Sequence, residues 1–519
     1  MMKDGVKFAI LSVSDKTNID KFAKSLIKNN YKILSTGGTA KFLSSKKIPN
    51  ISISKFTKFD EILEGRVKTL HPIIHAGILA KDKKSIESLK NSNYSLIDLV
   101  AVNLYPFEST ISKANCKYKD AIENIDIGGP TMLRAAAKNH ARVTVVTDPK
   151  DYKDVIKEID ANNQTTIKTR RKLAIKVFQK ISEYDSMIHH YLVNQEDSEE
   201  FTLPSKINIT LEKINDLRYG ENPHQNASLY DIKFPKKDGF NFEQLAGKDL
   251  SYNNLVDTES ALSCVNQFKE PSCVIVKHAN PCGVSESKNI MTAYNNAYAT
   301  DPISAFGGII AFNKTVDEKI LKKIINQQFV EVIVAPAYNI KCMEIIKSKP
   351  NIRLLKVDKT NKNISKLDMK SLQSKFLIQE NDNKKVTLKQ LKMVTVKKPS
   401  KKEIDDLLFA FKVARYVKSN AIVFVKNKKT LGIGAGQMSR IDSTNIAKTK
   451  AKKHGLSLKG CVMASEAFFP FRDNIDLAKK IGVSSIIQPG GSIKDKEIIS
   501  IADKHGISMV LSGVRVFKH

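Results

Sequence analysis

Along residues 1 to 150, short apolar runs alternate with stretches in which apolar residues recur every three or four positions. KFAILSV (7–13), YKILST (31–36), LIDLVAVNLYPF (96–107) and ARVTVVT (141–147) are strand-like, and helices are predicted between them, over 17–28 and from Thr39 onward. Such alternation argues a parallel sheet flanked by helices. A long helical pattern follows, over about 167–193, and ends in the acidic NQEDSEEF (194–201). The domain boundary is placed there, dividing the chain into 1–198 and 199–519.

The second region is again α/β. It carries strand-like SCVIVKH, GGIIAF, EVIVAP, NAIVFVK, LGIGAG, SSIIQPGG and ISMVLSG, separated by helical patterns. A strand with a polar constellation at its end occurs twice, at VIVKHAN and at SNAIVFVK, which hints at a duplicated half. The Lys-rich passage near 356–404 reads as a loop-rich insertion.

Composition narrows the class. With 519 residues the chain exceeds what a single core supports, so two to four domains are expected. No apolar run approaches the roughly 18 residues of a membrane span, and the expectation is a soluble, cytoplasmic protein. Six cysteines, Cys116, Cys264, Cys273, Cys282, Cys342 and Cys461, lie scattered without a C-x-x-C pair, so neither a disulfide framework nor a thiolate cage is indicated. The net charge of +31 suggests nucleic acid, yet its lysine clusters are short, spread along the chain and without stacking aromatics. Only eleven of the 85 basic residues are Arg, and Arg66, Arg218, Arg440 and Arg515 fall inside the motifs below. In a chain that uses Lys by default, such positions are candidates for two-pronged recognition of phosphate or carboxylate.

Candidate chemistry begins where strands give way to helices. LSVSDK (11–16) and LSTGGTAKFL (34–43) put Ser, Thr and Gly at such junctions, where backbone N–H groups and the helix dipole favour an anion. GRVKTLHP (65–72) adds Arg66, Lys68, Thr69 and His71, and IDIGGPTMLRAAAKN (125–139) adds Asp126, a glycine pair and Lys138. A capped turn or a solvated helix face accounts for any one of these pieces, but not for the set. SDK, STGGTAKFL, GRVKTLHP, AVNLYPF and DIGGPTMLRAAAKN together resemble the methylglyoxal-synthase-like, inosine monophosphate cyclohydrolase domain of the bifunctional purine biosynthesis family. The resemblance implies that Ser14, Lys16, Thr36, Gly37, Gly38, Thr39, Arg66 and Thr69 surround a nucleotide's phosphate and ribose, while Asn103 and Asp126 border the base. It also implies that Lys68, Tyr105, Asp126 and Lys138 manage ring closure, in which a carboxamide nitrogen attacks a formyl carbon and water leaves. These residue types suit it, because the developing oxyanion needs a cation and a proton donor.

VIVKHANPCG (274–283) ends an apolar strand on Lys277 and His278. Zinc deaminases carry H-x-E and a later P-C-x-x-C. Here position 280 is Asn and position 285 is Ser, so no metal site is expected. Taken alone, His278 reads as a hydrogen-bonded strand-end histidine. KHANPCG, LRYGENPHQ, DPISAFGGIIAFN, SNAIVFVK, IGAGQMSR, ASEAFFPFRD and VRVFKH together resemble the transformylase domain of the same family, a pair of cytidine-deaminase-like halves without zinc. That domain passes a formyl group from 10-formyltetrahydrofolate, a co-substrate, to the 5-amino group of aminoimidazole carboxamide ribonucleotide. The resemblance assigns the amine proton to His278, the oxyanion to Lys277 and orientation to Asn420; Arg218, Tyr219 and Arg515 hold phosphate, and Gly307, Glu331, Arg440 and Phe468 border the pocket. The family more often has Asp where this chain has Glu466. It further implies a homodimer acting on small molecules, with no nucleic acid, membrane or catalytic metal involved. The rival readings are a polynucleotide-binding protein that uses the charge, and a degenerate paralogue that binds nucleotide without turnover.

Overall fold

The computed structural model describes residues 6–193, 195, 203, 205–234, 240–357 and 367–519. Apart from Gln195, the acidic stretch 194–201 lies outside them. The chain forms two compact units, Met1–Leu211 with Ile232–Pro235, and Glu212–Asp231 with Lys236–His519.

The first unit is built on five strands, β1 (Lys7–Val13), β2 (Tyr31–Ser35), β3 (Ile51–Ser52), β4 (Leu99–Asn103) and β5 (Thr144–Val146). They form one sheet in the order β3-β2-β1-β4-β5 with every pairing parallel. Ala9, Ile10 and Leu11 of the central strand are wholly buried, which is why KFAILSV reads as a continuous apolar run rather than an alternating one. The first helix spans Ile19–Lys28 rather than starting at Thr17, and the second starts at Gly37, two residues before Thr39. The helix Ile167–Val193 buries Leu173, Ala174, Val177, Ile181, Tyr184 and Met187, a stripe at steps of one, three and four residues.

A ribbon of β6 (Thr210–Asp216) and β7 (Ser228–Phe234) precedes the main sheet of the second unit. That sheet takes β8 (Phe242–Ala246), β9 (Ser272–Lys277), β10 (Asn280–Glu286), β11 (Gly308–Phe312), β12 (Val330–Ala335) and β13 (Arg353–Val357). After a separate hairpin of β14 (Leu367–Leu372) and β15 (Lys375–Glu380), it adds β16 (Lys392–Met393), β17 (Ile422–Lys426), β18 (Lys429–Gly434), β19 (Val462–Ser465), β20 (Ser485–Gln488) and β21 (Ser508–Leu511). The twelve strands run β16-β21-β20-β19-β17-β18-β10-β9-β11-β12-β13-β8. Read outward from the antiparallel β10–β18 pair, the orders β10-β9-β11-β12-β13 and β18-β17-β19-β20-β21 match. The duplication hinted at by the sequence is a pseudo-twofold within one mixed sheet.

NPCGVSE, in spite of its Pro and Gly, is strand β10, held by β9 on one side and β18 on the other with an irregularity at Pro281 and Gly283. The Lys-rich passage is not all loop, because it holds the end of β13, the β14–β15 hairpin and β16; residues 358–366 lie outside the described set.

Candidate functional site

In the first unit, parallel pairing brings the C-terminal ends of β1, β2 and β4 together. Asn103, which ends β4, ties the loop after β1: its Oδ1 accepts the N–H groups of Ser14 (2.6 Å) and Asp15 (2.9 Å) and the Ser14 hydroxyl (2.9 Å). Thr39 reaches across from the helix Gly37–Ser45, where its Oγ1 accepts the Val13 N–H at 3.0 Å and the Lys16 ammonium at 3.2 Å. Ser12 and Thr36 share a hydroxyl hydrogen bond of 2.7 Å. Burial pulls the Lys16 ammonium below its ordinary value, against the opposing pull of Asp15. Gly37 and Gly38 open their helix beside these hydroxyls, so a free N-terminus, small side chains and a cation converge as an anion cradle requires.

The Lys68 ammonium lies within 3.8 Å of where a Cβ at Gly37 would stand. It also faces Asp126, whose Oδ1 accepts the Gly129 N–H at 2.8 Å and which takes a second N–H from Tyr105. Burial dominates there and raises the Asp126 carboxyl above its ordinary 3.8, in spite of those donors and of Lys68. The long helix supports this cluster, because Tyr184 Oη accepts the Asp126 N–H at 2.8 Å and donates to the Asn124 carbonyl at 3.2 Å. Thr69 packs against Gly128, where any Cβ would meet its hydroxyl at 2.5 Å. Arg66 is exposed and ion-paired to Glu123, and Lys138 ends the helix that Gly128 begins, ten residues on and hence about 15 Å of rise away. No hydrogen bond or ion pair among the described residues joins Lys138 to Asp126 or Lys68.

In the second unit the sheet is mixed, so the edge that ends β9 also begins β10, β11, β12 and β17 and ends β18 and β19. Lys277 ends β9 and donates its ammonium to the Gly307 carbonyl at 3.0 Å. Gly307 has φ +67°, a turn conformation that favours glycine, and a Cβ there would sit 3.0 Å from that ammonium. His278 and Ala279 form the tight turn into β10 with φ 52° and 56°, and the His278 side chain is exposed. Asn280 fastens this turn to the loop before β17: its Oδ1 accepts the Lys418 N–H at 2.9 Å while its amide donates to the His278 carbonyl at 3.1 Å. Two residues further, Asn420 donates its amide to the carbonyls of Gln437 (2.9 Å) and Met438 (3.0 Å). A cavity of about 290 Å³ opens here, lined by Ser419, Asn420, Gly436, Gln437, Met438 and Phe517 among others.

Arg440 points from this rim to Glu466, Nη2 to Oε1 2.9 Å, and to the Ser465 hydroxyl at 3.2 Å. Glu466 is fully buried, and burial raises its carboxyl despite that partner. Phe468 is half-buried beyond it, and the Arg515 and Arg440 guanidiniums both lie over the Phe517 ring. At the other end of the edge, Arg218 stacks on Tyr219, and Glu331 accepts the Asn254 amide at 2.7 Å with Arg353 at 3.9 Å. The Cys282 thiol is buried and pushed up to about 12, so it offers no thiolate. Among the described residues no group of three or more His, Cys, Asp or Glu is placed to hold a metal ion. Sequence reasoning passed over Asn254, Arg353 and Asp257, and weighed Asn280 only as the place where a deaminase keeps its glutamate. Arg353 carried the scarce-arginine signal without a recognised motif around it.

The family model of the AICARFT/IMPCHase bienzyme matches residues 136–450, and that of the MGS-like domain matches residues 18–131. The chain belongs to the AICARFT/IMPCHase bienzyme family. It is 49% identical over 521 aligned positions to the bifunctional purine biosynthesis protein PurH of Xanthomonas oryzae pv. oryzae (strain PXO99A), covering 99% of each chain. A solved structure, the crystal structure of ForH, is 31% identical and covers 36% of this chain and 97% of its own, with a TM-score of 0.32. Membership makes this a bifunctional enzyme of purine biosynthesis, whose formyltransferase half implies a folate-type formyl donor.

Proposed function

We propose that the second unit transfers the formyl group of 10-formyltetrahydrofolate to the 5-amino group of aminoimidazole carboxamide ribonucleotide, and that the first closes the product to inosine monophosphate. The amine is conjugated to a carboxamide and weakly nucleophilic. Its nitrogen forms the new bond to the formyl carbon while His278 takes its proton; Lys277 stabilises the oxyanion, and the bond to the folate nitrogen then breaks with a proton going to that nitrogen. Asn420 orients the substrate, Arg218, Tyr219 and Arg515 bind its phosphate, and Gly307, Glu331, Arg440 and Phe468 border the pocket. The observation that carries this reading is the meeting of the exposed His278 turn, anchored by Lys277 to Gly307, with the Asn420 loop through Asn280 and Lys418.

In the first unit Ser14, Lys16, Thr36, Gly37, Gly38, Thr39, Arg66 and Thr69 would hold phosphate and ribose, with Asn103 beside the base. Asp126 accepts the carboxamide proton as that nitrogen attacks the formyl carbon, Lys68 and Tyr105 stabilise and protonate the resulting oxygen, and water then leaves as the formamido nitrogen gives up its own proton and forms the ring C=N bond. Lys138 enters this reading through its motif rather than its placement. The same reading makes the protein a cytoplasmic homodimer whose domains divide near residue 198, with catalysis independent of metal. The test supplies the purified protein with aminoimidazole carboxamide ribonucleotide and 10-formyltetrahydrofolate under chelation. Both tetrahydrofolate and inosine monophosphate are expected to accumulate; formation of neither refutes the assignment.

A further inference from the structure

A carboxylate that no motif singled out holds the turn that presents His278. Asp257 lies on the helix Tyr252–Val265; its Oδ1 accepts the Ala279 N–H at 2.6 Å, and the carboxylate also takes the His278 N–H and faces the Lys277 and His278 side chains. His278 and Ala279 both stand in the left-handed region, which residues with a Cβ keep only where the surroundings over-determine it.

The pseudo-twofold supplies an internal comparison. At the opposite edge of the sheet, Asp406 on the helix Lys401–Ala414 accepts the N–H groups of Asn427 (2.8 Å) and Lys428 (2.7 Å), whose φ values are 57° and 51°. Lys426 there donates to the Lys459 carbonyl at 2.8 Å beside Gly460, φ +71°, as Lys277 donates to the carbonyl of Gly307. Strand, lysine, turn and helix-borne carboxylate are thus all repeated. What differs is the pair of turn residues, Asn427 and Lys428 in one half and His278 and Ala279 in the other. Around Asn427 the carboxylate accepts two backbone N–H groups and faces the Lys428 ammonium, with no imidazole on the turn. Around His278 the same negative charge faces a ring that becomes a cation when it takes a proton, acting through the field and the backbone N–H bonds rather than through a direct bond to the imidazole.

We propose that Asp257 is a positioning residue for formyl transfer: it holds the Lys277–Asn280 turn in its left-handed form, and its charge favours the imidazolium that His278 becomes. This rests on the proposed role of His278. The proton moves from the substrate amine to the imidazole as the nitrogen–carbon bond forms, and Asp257 neither gains nor loses one.

The test compares full-length Asp257→Asn, Asp406→Asn and His278→Ala proteins in both reactions. Asp257→Asn keeps an acceptor for the turn and removes the charge, so kcat for formyl transfer should fall by about tenfold or more while KM for the nucleotide stays within about threefold. Cyclisation of the formylated nucleotide should be unchanged. Asp406→Asn removes the matching charge and one of the two accepting oxygens where no imidazole stands, and should lower thermal stability while kcat stays within about twofold. The proposal is overturned if Asp257→Asn transfers at the wild-type rate, or if Asp406→Asn loses as much kcat as Asp257→Asn does. Full transfer by His278→Ala would instead overturn the assignment of the base itself; an inert His278→Ala beside a fully active Asp257→Asn overturns the positioning role alone.

Discussion

In the first unit all five strands point the same way, and the residues gathered at the site, Ser14, Thr36, Asn103 and their neighbours, stand at or just after strand C-termini. In the second unit the sheet is mixed, and its site edge draws both on strand ends, such as Lys277, Gly436 and Glu466, and on residues just before strands, Gly307 and Asn420. A parallel sheet gathers like ends of many strands and offers backbone N–H groups to an anion. A mixed sheet sets unlike ends side by side, here a lysine, an imidazole and two turns fastened by asparagines. One arrangement suits the holding of a phosphate, the other the meeting of two reactants.

If the two sites are as separate as this contrast implies, each can be removed without the other. Lys277→Ala takes away the ammonium held at Gly307 and should lower formyl transfer by about 10²-fold or more, with cyclisation of supplied formylated nucleotide unchanged. Steady-state rates in each half-reaction check it, and loss of both from this change would break the comparison. Asp126→Asn should do the reverse, lowering cyclisation by about 10²-fold and sparing transfer. Because burial raises the Asp126 carboxyl above 3.8 and the reaction uses its ionised form, the cyclisation rate should fall with decreasing pH at a midpoint above 3.8. A pH–rate profile that stays flat to the midpoint of a free carboxylate would remove that role.

The mixed sheet can also be probed for what holds its edge. Arg440→Ala leaves the fully buried Glu466 without its guanidinium, a loss of about 3–5 kcal/mol by denaturant unfolding. Asp301 receives the Lys450 ammonium at 2.7 Å and the Ser304 hydroxyl at 2.6 Å, joining the two halves. Burial alone would raise its carboxyl, but these partners hold it below 3.8. Its contribution is therefore present above the ionisation of the unfolded carboxyl, near pH 4, and lost as pH falls through the lower folded value. Asp301→Asn should lower Tm at pH 7, and the gap from wild type should close in stronger acid. The smallest effect belongs to Asn427→His. It places an imidazole on the matching turn at the wrong edge, far along the sheet from Asn420 and Arg440, and formyl transfer should not change.

The same contrast explains what the sequence made legible. In a parallel sheet a strand followed by Ser, Thr or Gly and then a helix is both the fold signal and the site signal, so LSVSDK and LSTGGTAKFL marked strands β1 and β2 and their anion cradle at once. The long helix was also plain, because its apolar stripe at steps of one, three and four residues runs unbroken from Leu173 to Met187. The mixed sheet hid more. β10 carries Pro281 and Gly283 beside an irregular pairing, so local propensity opposed the strand that tertiary pairing imposes. Asp257 and Asn254 look like ordinary polar positions on a helix; their partners, Ala279 and Glu331, lie 22 and 77 residues away. Gly307 and Asn420 precede strands and Glu331 is the second residue of β12, where no strand-end rule points, and all three entered through resemblance to a family. Glu466 shows the limit of that route, since its burial against Arg440 appears only in three dimensions.

The central claim is that an imidazole at one edge of the mixed sheet makes a reluctant amine reactive, while ring closure proceeds in the other unit. The most direct measurement follows full-length His278→Ala with two substrates in turn, first aminoimidazole carboxamide ribonucleotide with 10-formyltetrahydrofolate, then the formylated nucleotide alone. The account predicts no tetrahydrofolate from the first and inosine monophosphate at the wild-type rate from the second. Wild-type release of tetrahydrofolate by this variant would contradict it.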